Sequence, residues 1–481
     1  MLSRSRLRGP RRATKRQVTG RVTAGLAGLS AVALLAACGG SSSGGGAAPA
    51  STKTGGSSAS PSASVLAGGA SCSSSATKIT FWAWVPGMSR AVTAFNKSHP
   101  SICVTLENPG AGLNEYTPLS NALKAGSGAP DVAEIEFDEL PSFEIQKQVV
   151  DLTKYGANKY QNDFVSWAWQ EVSQGSAVYA MPSDAGPAGF YYNSKLMAQY
   201  HLTPPKTWAQ FATEAATLHK ANPKSYLANF SATDLQWLLT AMAQANAFPY
   251  TYSGGSKVGI NWTGANQMKF ASYWQNLISS HVISTVNDAN NSPLPNQNLD
   301  NGVTASSPLN SAWAPSYFQP DAKKTAGDWR AATLPQWTAG ASVSADWGGS
   351  TYPVFKQSAH PAQAAEFAEW LTGSPQAWTI LKTSPSELFP TYKALLSDPS
   401  FKSLKYPVSG SSEPNQVFTA AASEIQPVQW PPFMTEALNQ ALTTFQPVLS
   451  GKETLQKAFQ TFQSQEVSYA KAQGFTVSTG G

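Results

Sequence analysis

Charged side chains are scarce in this chain. Asp, Glu, Lys and Arg make up 13% of its 481 residues, against about 25% in typical soluble domains. Potential metal ligands are also few: the five histidines show no ligand spacing and there are three cysteines, so we predict neither a metal site nor a cofactor. The folded sequence contains no Gly-x-Ser-x-Gly elbow and no Walker phosphate loop, which argues against serine hydrolases and P-loop nucleotidases.

The N-terminal segment has no acidic residue. Its eight basic residues are Arg4, Arg6, Arg8, Arg11, Arg12, Lys15, Arg16 and Arg21. An apolar stretch over 22–35 follows them, too short for a comfortable membrane span, and this order is that of a secretory signal. The stretch ends in Leu35-Ala36-Ala37-Cys38-Gly39, which resembles a bacterial lipobox. We therefore predict a signal peptide over 1–37 and a lipidated Cys38 that anchors the protein to the extracytoplasmic face of the membrane.

Two points about export stay open. Cys38 could be incidental to an ordinary signal peptide. The pair Arg11-Arg12 leaves the twin-arginine route open beside the general secretory route.

Removal of this segment changes the charge balance. The whole chain has a formal net charge of +5, but the residues after it carry 25 basic and 28 acidic side chains. A faintly acidic exported protein has no electrostatic basis for binding nucleic acid. Aromatic residues make up 11% of the chain and include 15 Trp. Aromatic faces among neutral hydrogen-bonding groups suit the binding of sugars.

The next segment, over 38–77, is rich in Ser, Gly and Ala, and it reads as a flexible tether that cannot bury a core. With Cys38 lipidated, Cys72 and Cys103 form an even pair in an oxidising compartment, so we predict a disulfide between them. Two free thiols are the alternative. No second apolar stretch reaches membrane length, and roughly 400 residues remain, enough for two sizeable cores.

Strands and helices alternate where the folded sequence begins. The pattern predicts strands over 79–85, 102–106 and 131–137, with helices over 88–98 and 116–125 between them. This alternation is typical of a parallel, doubly wound α/β sheet, whose ligands bind beyond the carboxyl ends of the strands. Trp84 and Asp138 lie at such ends, together with Glu107 and Glu136. A core position is the alternative for Trp84.

Several ordered motifs point to one family. They are GSGAPDVAEIEF (126–137), YAMPSDAGPAGFYYNSKLM (179–197), TPPKTWAQF (203–211) and GGSTYPVFKQSAHPAQAAEFAEWLT (348–372). Together they resemble the family 1 extracellular solute-binding proteins of ABC importers, the sugar receptors similar to maltose-binding protein. The resemblance runs from about Lys78 to the C-terminus.

The resemblance implies an α/β fold of two lobes, each with a doubly wound sheet, and a ligand cleft between them. The implied lobes are 78–183 with 336–412, and 184–335 with 413–481. The lobes would close on the ligand by a hinge motion, and the segment Pro182–Pro187 is either that hinge or an ordinary loop. The implied partners are a carbohydrate, an ABC permease and the membrane. We expect a monomer.

The resemblance also implies the site residues. The aromatic candidates are Trp237, Trp313, Trp347 and Trp430, beside Trp84 from the strand-end argument. The acidic candidates are Asp138, Asp184 and Asp234. Gly348 and Gly349 would let the backbone approach a ligand closely. The alternatives are a helix-capping role for Asp138 and a core position for Trp237.

Other functions remain as alternatives. A secreted glycoside hydrolase also combines aromatic residues with carboxylates and needs two of them at a fixed separation. Glu134, Glu136, Asp138 and Glu139 supply acids, but alternation along one strand explains them without catalysis. A tethered sensor or adhesin could use the same fold, and so could a receptor for a peptide. A glycerol-phosphate diester would need a basic cleft, whereas the candidates here are neutral or acidic. The sequence therefore favours a binding protein without catalysis for a neutral di- or oligosaccharide.

Overall fold

A computed structural model describes residues 72–287, 294–383 and 386–480, together with the backbone of Ser64–Val65. The predicted signal peptide and Cys38 lie outside the described residues, as does most of the predicted tether. The described residues all belong to one compact unit, Ala59–Gly481. Within them, no helix has the length and apolar character needed to cross a bilayer.

The strands are short and fall into several small sheets. In chain order they are β1 (Ser64–Val65), β2 (Thr77–Trp82), β3 (Ile102–Asn108), β4 (Val132–Ala133), β5 (Ile135–Glu136), β6 (Ser173–Gln174), β7 (Ala177–Val178), β8 (Met181–Pro182), β9 (Ala188–Asn193), β10 (Tyr250–Thr251), β11 (Lys257–Ile260), β12 (Ser306–Ser311), β13 (Trp329–Ala332), β14 (Ser350–Tyr352) and β15 (Thr476–Ser478). The sheet orders are β1-β3-β2-β4, β5-β14-β8, β12-β9-β13, β10-β11-β15 and β6-β7.

Helices account for most of the remaining regular structure. They are α1 (Met88–Ser98), α2 (Leu113–Ala125), α3 (Leu140–Ile145), α4 (Ser166–Glu171), α5 (Ser194–Gln199), α6 (Trp208–Ala221), α7 (Leu235–Gln244), α8 (Ala265–Ser279), α9 (Leu294–Asp300), α10 (Ala314–Phe318), α11 (Pro361–Gly373), α12 (Pro375–Leu381), α13 (Lys393–Leu396), α14 (Pro399–Lys402), α15 (Pro414–Ala422), α16 (Met434–Thr444), α17 (Gln446–Leu449) and α18 (Leu455–Ala472). Short 3-10 helices cover Leu152–Tyr155, Ala157–Tyr160 and Pro407–Ser409.

The N-terminal part of the fold follows the sequence prediction closely. The strands β3, β2 and β4 are parallel neighbours, and α1 has the predicted bounds. The predicted strand over 131–137 is instead divided. Its first half, β4, joins β2, and its second half, β5, pairs with β14 in another sheet. As a result, the residues after β4 pair with β14 and not with β2.

Two large hydrophobic cores divide the chain. The first core takes residues from Ile79 to Ala185, then Ala312, and again residues from Tyr352 to Ile425. The second takes residues from Ala188 to Leu334 and from Phe433 to Ala470. We call the parts packed on them the first and second lobes, and the predicted two-lobed α/β fold is confirmed.

The predicted lobe boundaries stay a prediction. The crossings between the cores lie close to them, but Phe418 and Ala422 of α15 pack in the first core, although the predicted second lobe begins at residue 413.

The sheet β12-β9-β13 of the second lobe is antiparallel. Its central strand, β9, is antiparallel to both β12 and β13. The helix α6 begins after the N-cap Thr207, whose hydroxyl accepts from the Gln210 N–H at 3.1 Å, as expected for a Thr before the first helical turn.

A disulfide joins Cys72 to Cys103. Cys103 lies in β3, so the bond attaches the segment before β2 to the first sheet. The predicted pairing of the two cysteines is therefore present.

Candidate functional site

Buried and half-buried acidic side chains gather where β4 and β5 end. We call the following eight residues the carboxyl cluster: Glu115, Glu134, Glu136, Asp138, Glu139, Glu171, Asp184 and Asp346. In the described part of the chain none of them forms an ion pair, and the two ion pairs found there join Lys159 to Glu369 and Lys382 to Asp398. Burial disfavours the charged form of a carboxyl, and nearby carboxylates add to this effect.

Glu134 connects the first lobe's strands to the loop after β2. Its carboxylate accepts from the backbone N–H groups of Trp84 at 3.1 Å and Val85 at 3.3 Å, and from the Ser350 hydroxyl at 3.1 Å. Burial first, and then the charge of Asp184, raises its pKa to about 8. Trp84 is half-buried and its ring meets Tyr116 edge to face, with centroids 6.1 Å apart. The predicted site residue Trp84 therefore lies beside the cluster.

Glu136 and Asp138 follow on the same segment. The Tyr116 hydroxyl donates to Glu136 Oε2 at 3.0 Å. Burial, followed by the charge of Asp138, raises the pKa of Glu136 to about 8. Asp138 Oδ2 accepts from Gln236 Nε2 at 2.9 Å, and its Oδ1 has no hydrogen-bond partner in the described chain. Burial and the charge of Glu139 raise the pKa of Asp138 to about 7. Asp138 is thus buried, and its Oδ1 can still accept a hydrogen bond from a ligand.

Two further carboxyls of the first lobe bind donors near the second core. Glu139 Oε2 accepts from the Thr435 hydroxyl at 2.8 Å. Glu171 accepts from the Trp430 indole N–H at 2.9 Å and from the Val428 N–H at 3.1 Å. Burial raises the pKa of Glu139 to about 8 and that of Glu171 to about 7.

The crossing between the lobes carries two more acids of the cluster, whereas Glu115 lies in α2. Asp346 Oδ1 accepts from the Gly186 N–H at 2.7 Å. Burial and the charge of Glu171 raise its pKa well above the ordinary range. Asp184 is 6% exposed, its Oδ1 has no partner within the described residues, and burial raises its pKa to about 6.

Two tryptophans stand at the edge of the cluster. The Trp313 indole N–H donates to the Trp347 carbonyl oxygen at 3.1 Å, and their ring centroids are 4.9 Å apart. Both rings are half-buried. The pair therefore presents aromatic surface that the cores do not cover completely.

Gly348 and Gly349 bring this pair against the acids. Both have positive φ, 80° and 87°, which favours glycine. A Cβ on Gly348 would lie 3.5 Å from Trp313 Nε1 and 3.9 Å from Glu136 Oε1, and one on Gly349 would lie 2.8 Å from the Asp184 carbonyl oxygen. The predicted residues Asp184, Trp313, Trp347, Gly348 and Gly349 are thus brought together.

The remaining predicted residues are Trp430, Asp234 and Trp237. Trp430 packs against both cores and meets Phe248 edge to face at 5.1 Å. Asp234 is the N-cap of α7 and accepts from the Trp237 N–H at 2.9 Å. Trp237 is 3% exposed in the second core, the position weighed as its alternative. Ligand contact by each of these residues stays a prediction.

Several members of the site were not among the residues predicted from the sequence. Asp346 and Gln236 each precede a predicted tryptophan, so neighbouring sequence could have suggested them. Glu171, Tyr116 and Thr435 carry no local signal, because their partners are distant in the chain.

Within the described residues, no group of three or more His, Cys, Asp or Glu side chains is arranged to hold a metal ion. The carboxyl cluster therefore offers buried acceptors for hydrogen-bond donors beside aromatic rings.

A family model described as a bacterial extracellular solute-binding protein matches residues 84–378, more than half of the chain. The chain belongs to this family. The arabinooligosaccharide-binding protein of Bacillus subtilis is 25% identical over 329 residues, which cover 65% of this chain and 74% of that protein. The lactose-binding protein of Rhizobium radiobacter is 26% identical, with coverages of 62% and 71%.

Solved structures of this kind are similar throughout the described lobes. The ABC transporter-associated binding protein of B. animalis subsp. lactis Bl-04, in complex with β-1,6-galactobiose, has a TM-score of 0.73 and 29% identity, covering 84% of this chain and 99% of that one. The galacto-N-biose-/lacto-N-biose I-binding protein of Bifidobacterium longum also has a TM-score of 0.73, with 23% identity and coverages of 84% and 100%. At 23% identity, the similarity to the Bifidobacterium longum protein supports the fold alone.

Proposed function

We propose that this chain is the solute-binding component of an ABC importer and that it captures a neutral di- or oligosaccharide between its lobes. The observation that carries the proposal is the contact region at Gly348, where the half-buried rings of Trp313 and Trp347 adjoin the buried carboxyl cluster.

This combination fits the chemistry of a sugar. Aromatic faces pack against the apolar C–H faces of a pyranose ring, and carboxyl oxygens accept hydrogen bonds from its hydroxyl groups. Asp138 Oδ1 and Asp184 Oδ1 are buried acceptors without a partner in the described residues, and hydroxyl groups would satisfy them. An anionic ligand such as a phosphodiester is disfavoured, because no cationic side chain pairs with the cluster in the described chain.

The relatives support the same function. Those named above are binding proteins for arabinooligosaccharides and lactose, and the 29% identical structure holds a galactobiose. Delivery to a permease rather than catalysis is the function we propose. Anchoring through lipidated Cys38, with signal-peptide removal before it, and action as a monomer belong to the same proposal.

A thermal-shift screen tests the proposal directly. The protein for the screen is the chain from Gly39 onward, without the lipidated Cys38 but with both cysteines of the disulfide. The ligands are mono-, di- and oligosaccharides. Binding to the folded state alone stabilises it by about 2.7 kcal/mol at one hundred times the dissociation constant. We expect a raised melting temperature with one saccharide class, and no cleavage of that saccharide.

Two tryptophan variants test whether the shift depends on the tryptophan pair. Trp313→Ala should abolish the shift. Trp370→Ala, which removes a half-buried ring from α11 of the first lobe, should retain it. A shift with peptides or phosphodiesters but no saccharide would reject the carbohydrate assignment, and cleavage of the saccharide would indicate an enzyme.

A further inference from the structure

An exposed tyrosine continues the tryptophan pair. Tyr317 is 59% exposed, one of two large apolar or aromatic side chains so exposed among the described residues. It lies on α10, four residues after Trp313, so both side chains project from the same face of that turn. The ring centroids of Trp313 and Tyr317 are 5.7 Å apart, with the planes at 85°. The three rings Trp347, Trp313 and Tyr317 thus form a continuous row from the cluster outward.

The packing of the fold does not account for this row. The helix α10 packs on the rest of the protein through Ala314, Pro315 and Phe318, which are buried. Tyr317 is exposed instead and meets Trp313 edge to face. The exposed part of its ring adds little to the stability of the fold, because burial of apolar area is what would stabilise it.

Two acids act on the outer ring. Burial of part of the ring, followed by the charges of Asp321 and Asp234, raises the pKa of Tyr317. Asp234 is a predicted site residue that is not part of the carboxyl cluster.

We infer that Tyr317 forms an outer subsite, at which a third sugar unit of a neutral oligosaccharide packs on its ring while the first two units occupy the region of Trp347 and Trp313. This inference rests on the proposed function and deepens it, because it assigns the cleft to chains longer than a disaccharide. The phenol hydroxyl of Tyr317 would donate a hydrogen bond to that unit or accept one from it.

Chain-length dependence of binding tests the subsite. Calorimetry on the exported chain from Gly39 onward would use two series as probes, arabinobiose to arabinotetraose and β-1,6-galactobiose to galactotetraose. For the series that binds, we expect Tyr317→Ala to weaken the trimer and tetramer about five- to tenfold, as loss of one aromatic contact does. Binding of the dimer should change less than about twofold. Tyr317→Phe should retain most of the trimer affinity.

Matched measurements keep the result interpretable. The control is Tyr179→Ala, a half-exposed tyrosine of the first lobe that lies near Glu144 and Asp151 instead, and it should leave all affinities unchanged. The melting temperature of Tyr317→Ala without ligand should equal that of the unmodified chain, because the side chain is largely exposed.

The outcomes separate the two proposals. An equal loss for dimer and trimer, or no loss for either, overturns the outer subsite and leaves the proposed function standing. Failure of the unmodified chain to bind any saccharide overturns the proposed function and the subsite together.

Discussion

Gln236 donates a hydrogen bond from Nε2 to Oδ2 of Asp138 at 2.9 Å, and the two residues belong to different lobes. Asp138 follows β5 of the first lobe, and Gln236 lies in the first turn of α7, whose apolar side chains pack in the second core. Glu139 with Thr435 repeats the pattern at 2.8 Å. In both pairs an acid of the first lobe accepts from a neutral donor of the second, so the carboxyl cluster contributes to holding the lobes together.

Removal of the Gln236 amide should therefore weaken the contact between the lobes. Gln236→Ala leaves a buried carboxyl without its donor, which costs about 1–3 kcal/mol. We expect urea unfolding to show that loss of stability, and small-angle scattering to show a larger radius of gyration. Gln440→Ala is the control, because its amide bonds only Glu436 within α16. An unchanged radius together with unchanged stability would contradict this role.

The two glycines beside the tryptophan pair should differ in their tolerance of a side chain. Both adopt positive φ, which costs an L-residue roughly 1–2 kcal/mol. Gly349→Ala would in addition place a Cβ 2.8 Å from the Asp184 carbonyl oxygen, whereas Gly348→Ala meets no atom closer than 3.5 Å. We expect denaturant unfolding to show a clearly larger loss for Gly349→Ala. Equal losses would mean that backbone strain alone decides the effect.

Loss of the disulfide should destabilise the first lobe. Cys72 and Cys103 are separated by 31 positions, and closing a loop of this size contributes about 3–4 kcal/mol in the chain-entropy model. The double variant Cys72→Ser with Cys103→Ser should lose that amount in urea unfolding. Reduction of the unmodified chain should give the same result, whereas reduction of the double variant should change nothing.

Local patterns were sufficient for part of this fold. The helix α1 has the predicted bounds, and Met88, Val92 and Phe95, spaced as on one helical face, are all buried. The N-cap Thr207 follows the pair Pro204-Pro205 closely and immediately precedes α6. In both cases the deciding contacts lie within a few residues of one another, so sequence alone contains the signal.

Long-range pairing decided what the sequence could not show. The strand predicted over 131–137 divides because β4 pairs with β2, while β5 pairs with β14, more than two hundred residues away in the chain. Glu171 and Trp430 are 259 positions apart, and no periodicity connects them. The acids Asp138 and Glu139 could be recognised in the sequence after β4. Their donors Gln236 and Thr435 could not, because these pairs form only where the two lobes meet.

The raised pKa values of the carboxyl cluster predict an unusual pH dependence. Burial raises the pKa of Glu134, Glu136 and Glu139 to about 8 and that of Asp138 to about 7, whereas carboxyls of an unfolded chain titrate near about 4. Between these values the folded protein holds protons that the unfolded chain has released. The stabilising contribution is therefore complete below about pH 4 and is lost as the pH rises through 7 to 8.

Stability should accordingly fall between about pH 5 and about pH 8.5, which melting temperatures in buffers of equal ionic strength would measure. Glu134→Gln removes one titrating group and keeps an acceptor for the Trp84 and Val85 N–H groups, so it should reduce the slope. Glu366→Gln, at an exposed position of α11, should leave the slope unchanged. A stability that rises over this range would mean that the cluster is ionised in the folded protein, and donors from the two lobes, such as Gln236, would then have to stabilise the charged form.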